Sequence, residues 1–347
     1  GSRLWPLSNE SRSKQFLKVL RNSSNIPESM VQRTFRKIKE ALPEANLLVA
    51  TGNSQVYSIE SQIEGDYDLV VEPERRDTAP AIMLSCAKLA FDLGADPNDS
   101  VIVLPIDTYA DDGYYKSLAR LAEAVDERPD GLVLLGIEPT YPSEKYGYIV
   151  PVDTVGDIYE VSCFAEKPSE AKAQSLIEKG ALWNGGIFGF KLGYGLDILR
   201  RYTSSKDLEE IIENYSEFPK VSFDYEVVEK ADSIAVVPCQ GEWKDLGTWN
   251  TLSEEMAEAY SGRIVFDADT CENLHAINET NIPLVVSGVS NAVVVATPDG
   301  ILVSSKEHSA KLKPLVEQAA YTRPMYENGG ANIELSILVF IKITKKP

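Results

Sequence analysis

Histidine and paired cysteine are scarce in this sequence. The 347 residues include only two histidines, His275 and His308, and they lie 33 residues apart, so they do not form a His-x-x-His or His-x-x-x-His pair. The sequence therefore does not indicate a histidine-based zinc site or a Ser-His-Asp triad. The four cysteines lie far apart without a C-x-x-C pair, which argues against a zinc knuckle or a redox dithiol. Any catalysis has to rest on carboxylates, cations and backbone groups.

Basic residues are also fewer than acidic ones. Lys and Arg number 34 against 53 Asp and Glu, and the formal net charge is -19. General electrostatic binding to nucleic acid or to an anionic membrane surface is therefore not expected, and an anionic small ligand would need a local cationic pocket. No apolar run approaches the roughly 18 residues of a membrane-spanning helix, and the first residues lack the features of a signal peptide. We expect a cytoplasmic protein with neither nucleic acid nor a membrane as partner.

The length and the apolar pattern indicate two domains. The chain of 347 residues is longer than the roughly 250 to 300 residues at which a single core stops growing. Between residues 29 and 250, short apolar runs alternate with helical patterns, which is typical of a mostly parallel sheet flanked by helices. The runs that are typical of strands buried on both faces span residues 47–51, 67–72, 101–105 and 131–137.

Helical periodicity and a late change of pattern complete the predicted architecture. An apolar repeat predicts a helix over residues 31–42, and Asp77 is placed to cap a second helix that extends to residue 93. We predict an α/β fold, with a Rossmann-like, doubly wound, mostly parallel sheet over residues 1–260 and a small β-rich C-terminal domain over residues 261–347. The apolar run at residues 335–341 is expected to add a strand to the small domain, with a remnant of a longer module as the alternative.

Seven short motifs follow one another in order along the chain. The first combines Gly-Ser-Arg-Leu-Trp-Pro-Leu-Ser at the start with Lys-Gln-Phe-Leu at residues 14–17. The other six cover residues 76–82, 104–107, 146–149, 164–168, 182–188 and 243–249. Together they resemble the signatures of mannose-1-phosphate guanylyltransferases, which are also called GDP-mannose pyrophosphorylases. The resemblance extends over roughly residues 1–316, and it implies a nucleotidyltransferase domain followed by a small β domain.

The resemblance also implies an activity. A member of this family transfers GMP from GTP to mannose 1-phosphate, uses Mg2+, and releases GDP-mannose and pyrophosphate. Our hypothesis for the mechanism is in-line attack of the sugar 1-phosphate on the α-phosphorus without a covalent intermediate. A homodimer is implied as well. Another base or sugar stays open, because the fold and the phosphate chemistry do not determine them. A catalytically silent, nucleotide-sensing subunit is the alternative from a different class. Some family members carry a cupin-type isomerase domain, and the residues after 327 are too few to form one.

Two aspartates are the candidate metal ligands. Asp107 and Asp245 each follow an apolar strand pattern, at residues 101–105 and 234–238. The carboxyl ends of strands in an open α/β sheet form the usual ligand crevice. Mg2+ binds one or two carboxylates and completes its shell with waters and substrate phosphates. By resemblance, both aspartates are catalytic metal ligands and Asp107 also faces the nucleotide, although Thr108 stands where the family commonly has histidine.

Cations and loop backbone are expected to hold the phosphates. In a strongly acidic protein, local positive charge has to compensate a triphosphate, and Arg and Lys do so in different geometries. The resemblance assigns Arg3 and Lys14 to the nucleotide phosphates and Lys167 to the sugar phosphate, all three with catalytic roles. Gly1 and Ser2 begin a turn whose backbone N–H groups are expected to bind phosphate.

Sugar recognition requires hydrogen-bonding groups around hydroxyls and a close backbone approach. Gly147 permits the approach because it lacks Cβ, Glu166 can accept hydroxyl protons, and Asn184 can both donate and accept. Asp224 resembles an Ile-Asp-Tyr segment of the family and is placed in the same sugar-phosphate site. The alternative for Asp224 is a helix N-cap.

Base recognition has weaker signals in the sequence. Guanine presents N1–H and N2–H donors, so a carboxylate or backbone carbonyls would suit it. Glu72, at the end of the run 67–72, is the candidate acceptor. Asp77 and Thr78, in the turn that follows, are also expected to bind the nucleotide.

Overall fold

The computed structural model describes residues 2–8, 12–128, 131–152, 156–320 and 337–344. Its α-helices are α1 (Met30–Ala41), α2 (Val56–Gln62), α3 (Thr78–Ala87), α4 (Asp112–Glu127), α5 (Glu170–Ile177), α6 (Leu192–Leu199), α7 (Leu208–Glu213), α8 (Phe223–Glu226), α9 (Trp249–Glu255) and α10 (Lys313–Ala320). None of the helices in these ranges is both long and apolar enough to cross a membrane.

The strands lie in one large sheet and several small ones. They are β1 (Leu20–Arg21), β2 (Pro27–Glu28), β3 (Asn46–Gly52), β4 (Asp68–Glu72), β5 (Ser100–Pro105), β6 (Thr108–Ala110), β7 (Leu132–Ile137), β8 (Gly147–Pro151), β9 (Tyr159–Ala165), β10 (Leu182–Lys191), β11 (Ile234–Pro238), β12 (Trp243–Asp245), β13 (Tyr260–Gly262), β14 (Ile264–Phe266), β15 (His275–Asn278), β16 (Leu284–Val286), β17 (Ala292–Thr297), β18 (Gly300–Ser305) and β19 (Leu338–Ile343).

Local capping chemistry starts the first helices where the sequence predicts them. Ser29 and Gln32 form a capping box at α1, in which each side chain accepts a hydrogen bond from the backbone N–H of the other. Asp77 caps α3 by accepting from the N–H of Thr78 at 2.8 Å. A π-helical segment, Lys88–Asp92, continues α3. The predicted helices near residues 31–42 and up to residue 93 are therefore confirmed.

Within the described residues, the large sheet has nine strands in the order β4-β3-β19-β5-β10-β7-β11-β9-β8. The pairings make β3, β4, β5, β7, β8 and β11 run in one direction, while β9, β10 and β19 run in the other. One hydrophobic core lies on the face covered by α1, α4 and α5. A second lies on the face covered by α3, α6 and α8. The predicted α/β fold is confirmed, with three reversed strands inserted among those of common direction.

The last described strand belongs to the large sheet. β19 lies between β3 and β5 and is antiparallel to both, with Phe340 opposite Leu48 on one side and Val103 on the other. The side chains of β19 from Leu338 to Ile341 are buried. The prediction that this segment adds a strand to the small domain is wrong. Four consecutive apolar residues require a strand covered on both faces, and the centre of the large sheet provides that position.

A small β-rich unit follows α9. Strands β13, β15 and β17 are parallel neighbours, β18 pairs antiparallel with β17, and β14 pairs parallel with β16. The N-terminal segment packs against this unit and α9, because Leu4 and Leu7 share a core cluster with Trp249 and Val295. The β-rich character predicted beyond residue 261 is therefore present, and the exact boundary at residue 260 stays a prediction.

Candidate active site

The two predicted metal ligands lie side by side at the carboxyl end of β5. Asp107 follows β5, and Asp245 ends β12, which pairs antiparallel with β6 so that Asp245 is opposite Thr108. Lys14 Nζ lies 3.1 Å from Asp107 Oδ2 and 3.6 Å from Asp245 Oδ1. It also donates to the backbone carbonyl oxygen of Asp107 at 3.3 Å. The fold thus brings together three predicted residues from separate parts of the sequence.

The carboxylate pair has the chemistry that Mg2+ requires. The side chains of Asp107 and Asp245 are 34% and 26% exposed, which leaves room for waters and substrate phosphates as further ligands. Gly247 provides space beside the second carboxylate, because a Cβ there would lie 2.9 Å from Asp245 Oδ1. Among the described residues, no group of three or more His, Cys, Asp or Glu could hold a metal ion. A metal at this edge would therefore depend on substrate oxygens, as Mg2+ commonly does.

An aromatic cluster borders the carboxylate pair. The ring of Tyr146 lies 4.9 Å from that of Trp183 and 5.4 Å from that of Trp243. Burial raises the pKa of the Tyr146 phenol well above its usual range, the charge of Asp245 adds to this, and Arg3 opposes it. Arg3, in the 3-10 helix Ser2–Leu4, therefore lies close enough to Tyr146 to interact electrostatically with its phenol, as Asp245 does. Sequence reasoning missed these three rings, although each lies inside one of the seven motifs.

The predicted sugar residues form a second cluster on neighbouring strands. Gly147 on β8 is directly opposite Asn184 on β10, and Glu166 follows β9. A Cβ on Gly147 would lie 2.5 Å from Glu166 Oε2 and 3.3 Å from Asn184 Cβ. Glycine is therefore required at residue 147 if the Glu166 carboxylate is to keep this position.

Asp224 joins this cluster through Asn184. The amide nitrogen of Asn184 donates to Asp224 Oδ1 at 2.5 Å. Burial, and next the charge of Glu166, raise the pKa of Asp224 to about 6. The N-cap of α8 is Ser222, whose side chain accepts from the N–H of Tyr225, so the N-cap alternative for Asp224 is wrong. Asp224 lies in the first turn of the helix and points to the sugar residues.

Lys167 adds a cation to the cluster, and Glu166 adds a carboxylate oxygen that can accept a hydrogen bond. Lys167 Nζ lies 2.7 Å from Glu166 Oε1, and the lysine backbone adopts a positive φ of 43°. Glu166 Oε2 is buried and has no hydrogen-bond partner among the described residues. A buried acceptor without a partner is costly, so a donor from a bound ligand would be strongly favoured at this atom.

Glu72, the candidate base acceptor, and the sugar cluster lie on opposite sides of β5 in the strand order. Glu72 ends β4, and three steps across the sheet, at ~4.8 Å each, separate this strand from β5. The Tyr215 hydroxyl donates to Glu72 Oε2 at 2.8 Å. Burial raises the pKa of Glu72 to about 7, and the bond from Tyr215 opposes that rise. Sequence reasoning missed Tyr215, because nothing local connects it with a residue 143 positions earlier.

Four other predicted residues have structural partners or lie wholly or partly outside the described residues. Asp77 caps α3, and the hydroxyl oxygen of Thr78 accepts from the N–H of Phe223 at 2.8 Å. Their roles in nucleotide binding stay predictions. Gly1 lies outside the described residues, and the structure describes only the backbone of Ser2, so the phosphate-binding turn also stays a prediction.

Known proteins match this chain in sequence and in fold. The sequence profile described as "Nucleotidyl transferase" matches residues 1–261. The mannose-1-phosphate guanylyltransferase of Sinorhizobium fredii is 30% identical over 92% of this chain and 66% of its own length. The xanthan biosynthesis protein XanB of Xanthomonas campestris is 31% identical over 100% of this chain and 79% of its own length. The chain thus spans about two thirds to four fifths of these relatives.

A solved structure also resembles this chain in sequence and in fold. The crystal structure of mannose-1-phosphate geranyltransferase from Thermus thermophilus has 31% sequence identity and a TM-score of 0.71, and the match covers 92% of this chain and 96% of that one. The UDP-glucose pyrophosphorylase from Acinetobacter baumannii, at 15% identity and a TM-score of 0.52, shares the fold. This chain belongs to the nucleotidyl transferase family, and its relatives within that family include mannose-1-phosphate guanylyltransferases.

Proposed function

We propose that this protein transfers GMP from GTP to mannose 1-phosphate and releases GDP-mannose and pyrophosphate. The observation that carries the proposal is that two clusters lie at neighbouring strands. Lys14, Asp107 and Asp245 meet at the end of β5, and the cluster of Glu166, Lys167 and Asn184 includes a residue of the adjacent strand β10. A cation between two carboxylates suits phosphate chemistry, and the neighbouring cluster suits a phosphorylated sugar. The names of the relatives supply the choice of GTP and mannose 1-phosphate.

The order of strands supports a linear arrangement of substrates. Glu72 on β4 is the proposed base site, Asp107 after β5 is the proposed phosphate site, and Asn184 on β10 belongs to the proposed sugar site. The sheet order places β5 between the other two strands. The reacting phosphates would then lie between base and sugar, which is the order of groups in the product.

The proposed reaction needs no general base. The attacking oxygen of a sugar 1-phosphate is already anionic at neutral pH, so positioning and charge stabilisation are sufficient for in-line attack on the α-phosphorus. Arg3 and Lys14 would neutralise the nucleotide phosphates, and Lys167 would hold the sugar phosphate. Asp107 and Asp245 would hold Mg2+, which when bound supplies further neutralisation of charge at the reacting phosphate.

Hydrogen bonds from the sugar hydroxyls to side chains of the cluster would hold the sugar ring. Glu166 Oε2 is buried without a partner among the described residues, and it would accept a hydroxyl proton. Asn184 and Asp224 are joined by a hydrogen bond, which holds both in place for a second hydroxyl. A homodimer and a cytoplasmic location belong to the same proposal, and they rest on the family resemblance and on the composition.

An assay of pyrophosphate release tests the proposal. GTP, ATP, UTP and dTTP are each combined with mannose 1-phosphate or glucose 1-phosphate, with and without Mg2+. We expect release that depends on Mg2+ with GTP and mannose 1-phosphate. Release with a different pair would keep the chemistry and overturn the proposed substrates. No release from folded protein with any pair would favour the silent, nucleotide-sensing subunit.

Paired variants test the role of the carboxylates in the same assay. Asp107→Asn should lower kcat by at least about a hundredfold, because the loss of one preorganised electrostatic group has effects of that order. Asp112→Asn is the matched control, since this aspartate is exposed and pairs with Lys37 at the surface of α4. A kcat for Asp107→Asn equal to that of Asp112→Asn would remove Asp107 from the proposed mechanism.

A further inference from the structure

Tyr215 is a fully buried residue that contacts the proposed base acceptor. It lies in the short 3-10 helix Tyr215–Glu217, and its relative exposure is 0%. Its hydroxyl donates to Glu72 Oε2 at 2.8 Å. Its ring packs edge-on against Phe218, with centroids 5.7 Å apart. Because the ring is buried and packed, the direction of its hydroxyl is determined by the surrounding side chains.

The same segment holds the loop that follows Glu72. Arg76 Nη1 donates to the Phe218 carbonyl at 2.7 Å. The N–H of Ala79 donates to the Val221 carbonyl at 3.2 Å, and the N–H of Phe223 donates to Thr78 Oγ1 at 2.8 Å. Together with the Tyr215 bond, four hydrogen bonds join residues 215–223 to residues 72–79. The proposed base site is thus built on an element distant in the sequence.

We propose that Tyr215 is a positioning residue for base selection, whose hydroxyl orients the Glu72 carboxylate toward the N–H donors of guanine. This inference rests on the proposed function. The terminal torsion of a glutamate is broad and roughly two-fold, so an unrestrained carboxylate would rotate. A donor on Oε2 stops that rotation and leaves Oε1 available to accept from N1–H or N2–H. Adenine presents an acceptor at N1, which a carboxylate repels.

The hydroxyl also acts on the protonation of Glu72. The charged and titratable groups that face Glu72 are Arg75 and Asp77 from its own loop and Tyr215 from the opposite segment. Arg76 and Glu74 act on Tyr215 in turn. A hydrogen bond to an ionised carboxylate favours the ionised form. Without the hydroxyl, the pKa of Glu72 would rise further, and more of the residue would be a carboxylic acid at neutral pH.

Direct binding measurements on the full chain test this inference. The affinities of GTP, ITP and ATP are measured for the wild type, Tyr215→Phe and Tyr202→Phe, each at pH 6.5, 7.5 and 8.5. ITP lacks the 2-amino group of guanine, and ATP presents the opposite pattern at N1. Tyr202 is the matched control, because its hydroxyl donates to Glu226 and its ring also packs against Phe218.

The expected result is a change in selectivity. The wild type should bind GTP more tightly than ITP or ATP. Tyr215→Phe should weaken GTP binding about tenfold at pH 7.5, the size expected for one hydrogen bond to a charged group. It should weaken ITP less and ATP least, and GTP binding should partly recover at pH 8.5, where Glu72 ionises again. Tyr202→Phe should leave the preference for GTP unchanged.

Other results would overturn the inference. An equal loss for all three nucleotides, together with a lower melting temperature, would show that Tyr215 acts only in packing. An unchanged preference for GTP would exclude orientation of Glu72. A wild type that bound the three nucleotides alike would contradict base recognition by Glu72, and this inference with it. Preferential GTP binding without turnover would contradict only the proposed function.

Discussion

Asp224 illustrates, at the residue scale, how burial relates stability to function. Its pKa is raised to about 6 from the usual value of 3.8, first by burial and next by the charge of Glu166. The folded protein therefore binds a proton at this residue more tightly than the unfolded chain does. The associated stability is present at low pH and is lost as the pH rises from about 4 to about 6. At neutral pH, the ionised Asp224 carboxylate destabilises the fold.

Replacement of this carboxylate should stabilise the protein and impair the enzyme. Asp224→Asn should raise the free energy of unfolding at pH 7.5 by about 1–2 kcal/mol, since an amide has no charge to bury. It should also raise the KM for the sugar phosphate about tenfold, because a hydroxyl acceptor beside Asn184 is lost. Urea unfolding between pH 4 and pH 8 and steady-state kinetics measure the two effects.

The control for this change is Asp232→Asn, where the charge is exposed to solvent. That variant should alter neither the pH dependence of unfolding nor KM. If Asp224→Asn were less stable than wild type at pH 7.5, the Asn184 contact would matter more for stability than the buried charge does. The sequence placed Asp224 in a site or at a helix cap. The structure excludes the cap, because Ser222 is the N-cap of α8, and the role of Asp224 in sugar binding stays a prediction.

At the scale of elements, β19 joins two strands of the large sheet that would otherwise not be neighbours. It pairs with β3 and β5, so its loss would expose two edges inside the sheet. Phe340→Ala should lower the free energy of unfolding by about 3–5 kcal/mol, as is usual for a buried phenylalanine. Urea unfolding followed by circular dichroism measures the change.

Ile343→Ala is the matched control on the same strand. Ile343 is only partly buried and lies at the end of β19, so its truncation should have a smaller effect, about 1 kcal/mol. Equal losses for the two variants would contradict the central position of β19. The apolar run alone predicted a strand, but not the sheet to which it belongs, because both sheets accept apolar residues.

At the scale of the whole molecule, we expect the small β unit to be coupled to the candidate active site through the N-terminal segment. A Cβ on Gly300 would lie 2.3 Å from a ring atom of Trp5. Trp249 Nε1 donates to the Trp5 carbonyl at 3.2 Å, and Arg12 forms two hydrogen bonds with Glu279. The position of Arg3 therefore depends on packing against strands of the small unit.

We therefore expect a substitution in the small unit to lower kcat/KM. Gly300→Ala should displace Trp5 and lower kcat/KM between about tenfold and a hundredfold, because small misplacements of a phosphate-binding group reduce rates strongly. Gly288→Ala is the control, since it has a positive φ of 68° but nothing within 4 Å of the added Cβ. It should have a normal kcat/KM and lose about 1–2 kcal/mol of stability, the cost of a Cβ in the left-handed region. A normal kcat/KM for Gly300→Ala would contradict the coupling.

The sequence by itself determined the features that depend on neighbours along the chain. The helix starts at Ser29 and Asp77 follow from capping side chains a few residues away, and the strand pattern of residues 101–105 follows from consecutive apolar side chains. The motifs identified the family, because each keeps its reactive residues within a few positions of one another.

Only the tertiary structure decided which of these segments meet. Lys14 reaches Asp107 and Asp245, and Tyr215 reaches Glu72 across 143 positions. The C-terminal strand β19 enters the centre of the large sheet. The physical reason is common to all three. Ion pairs, hydrogen bonds and strand pairing depend on distance in space, whereas periodicity and capping depend on distance along the chain.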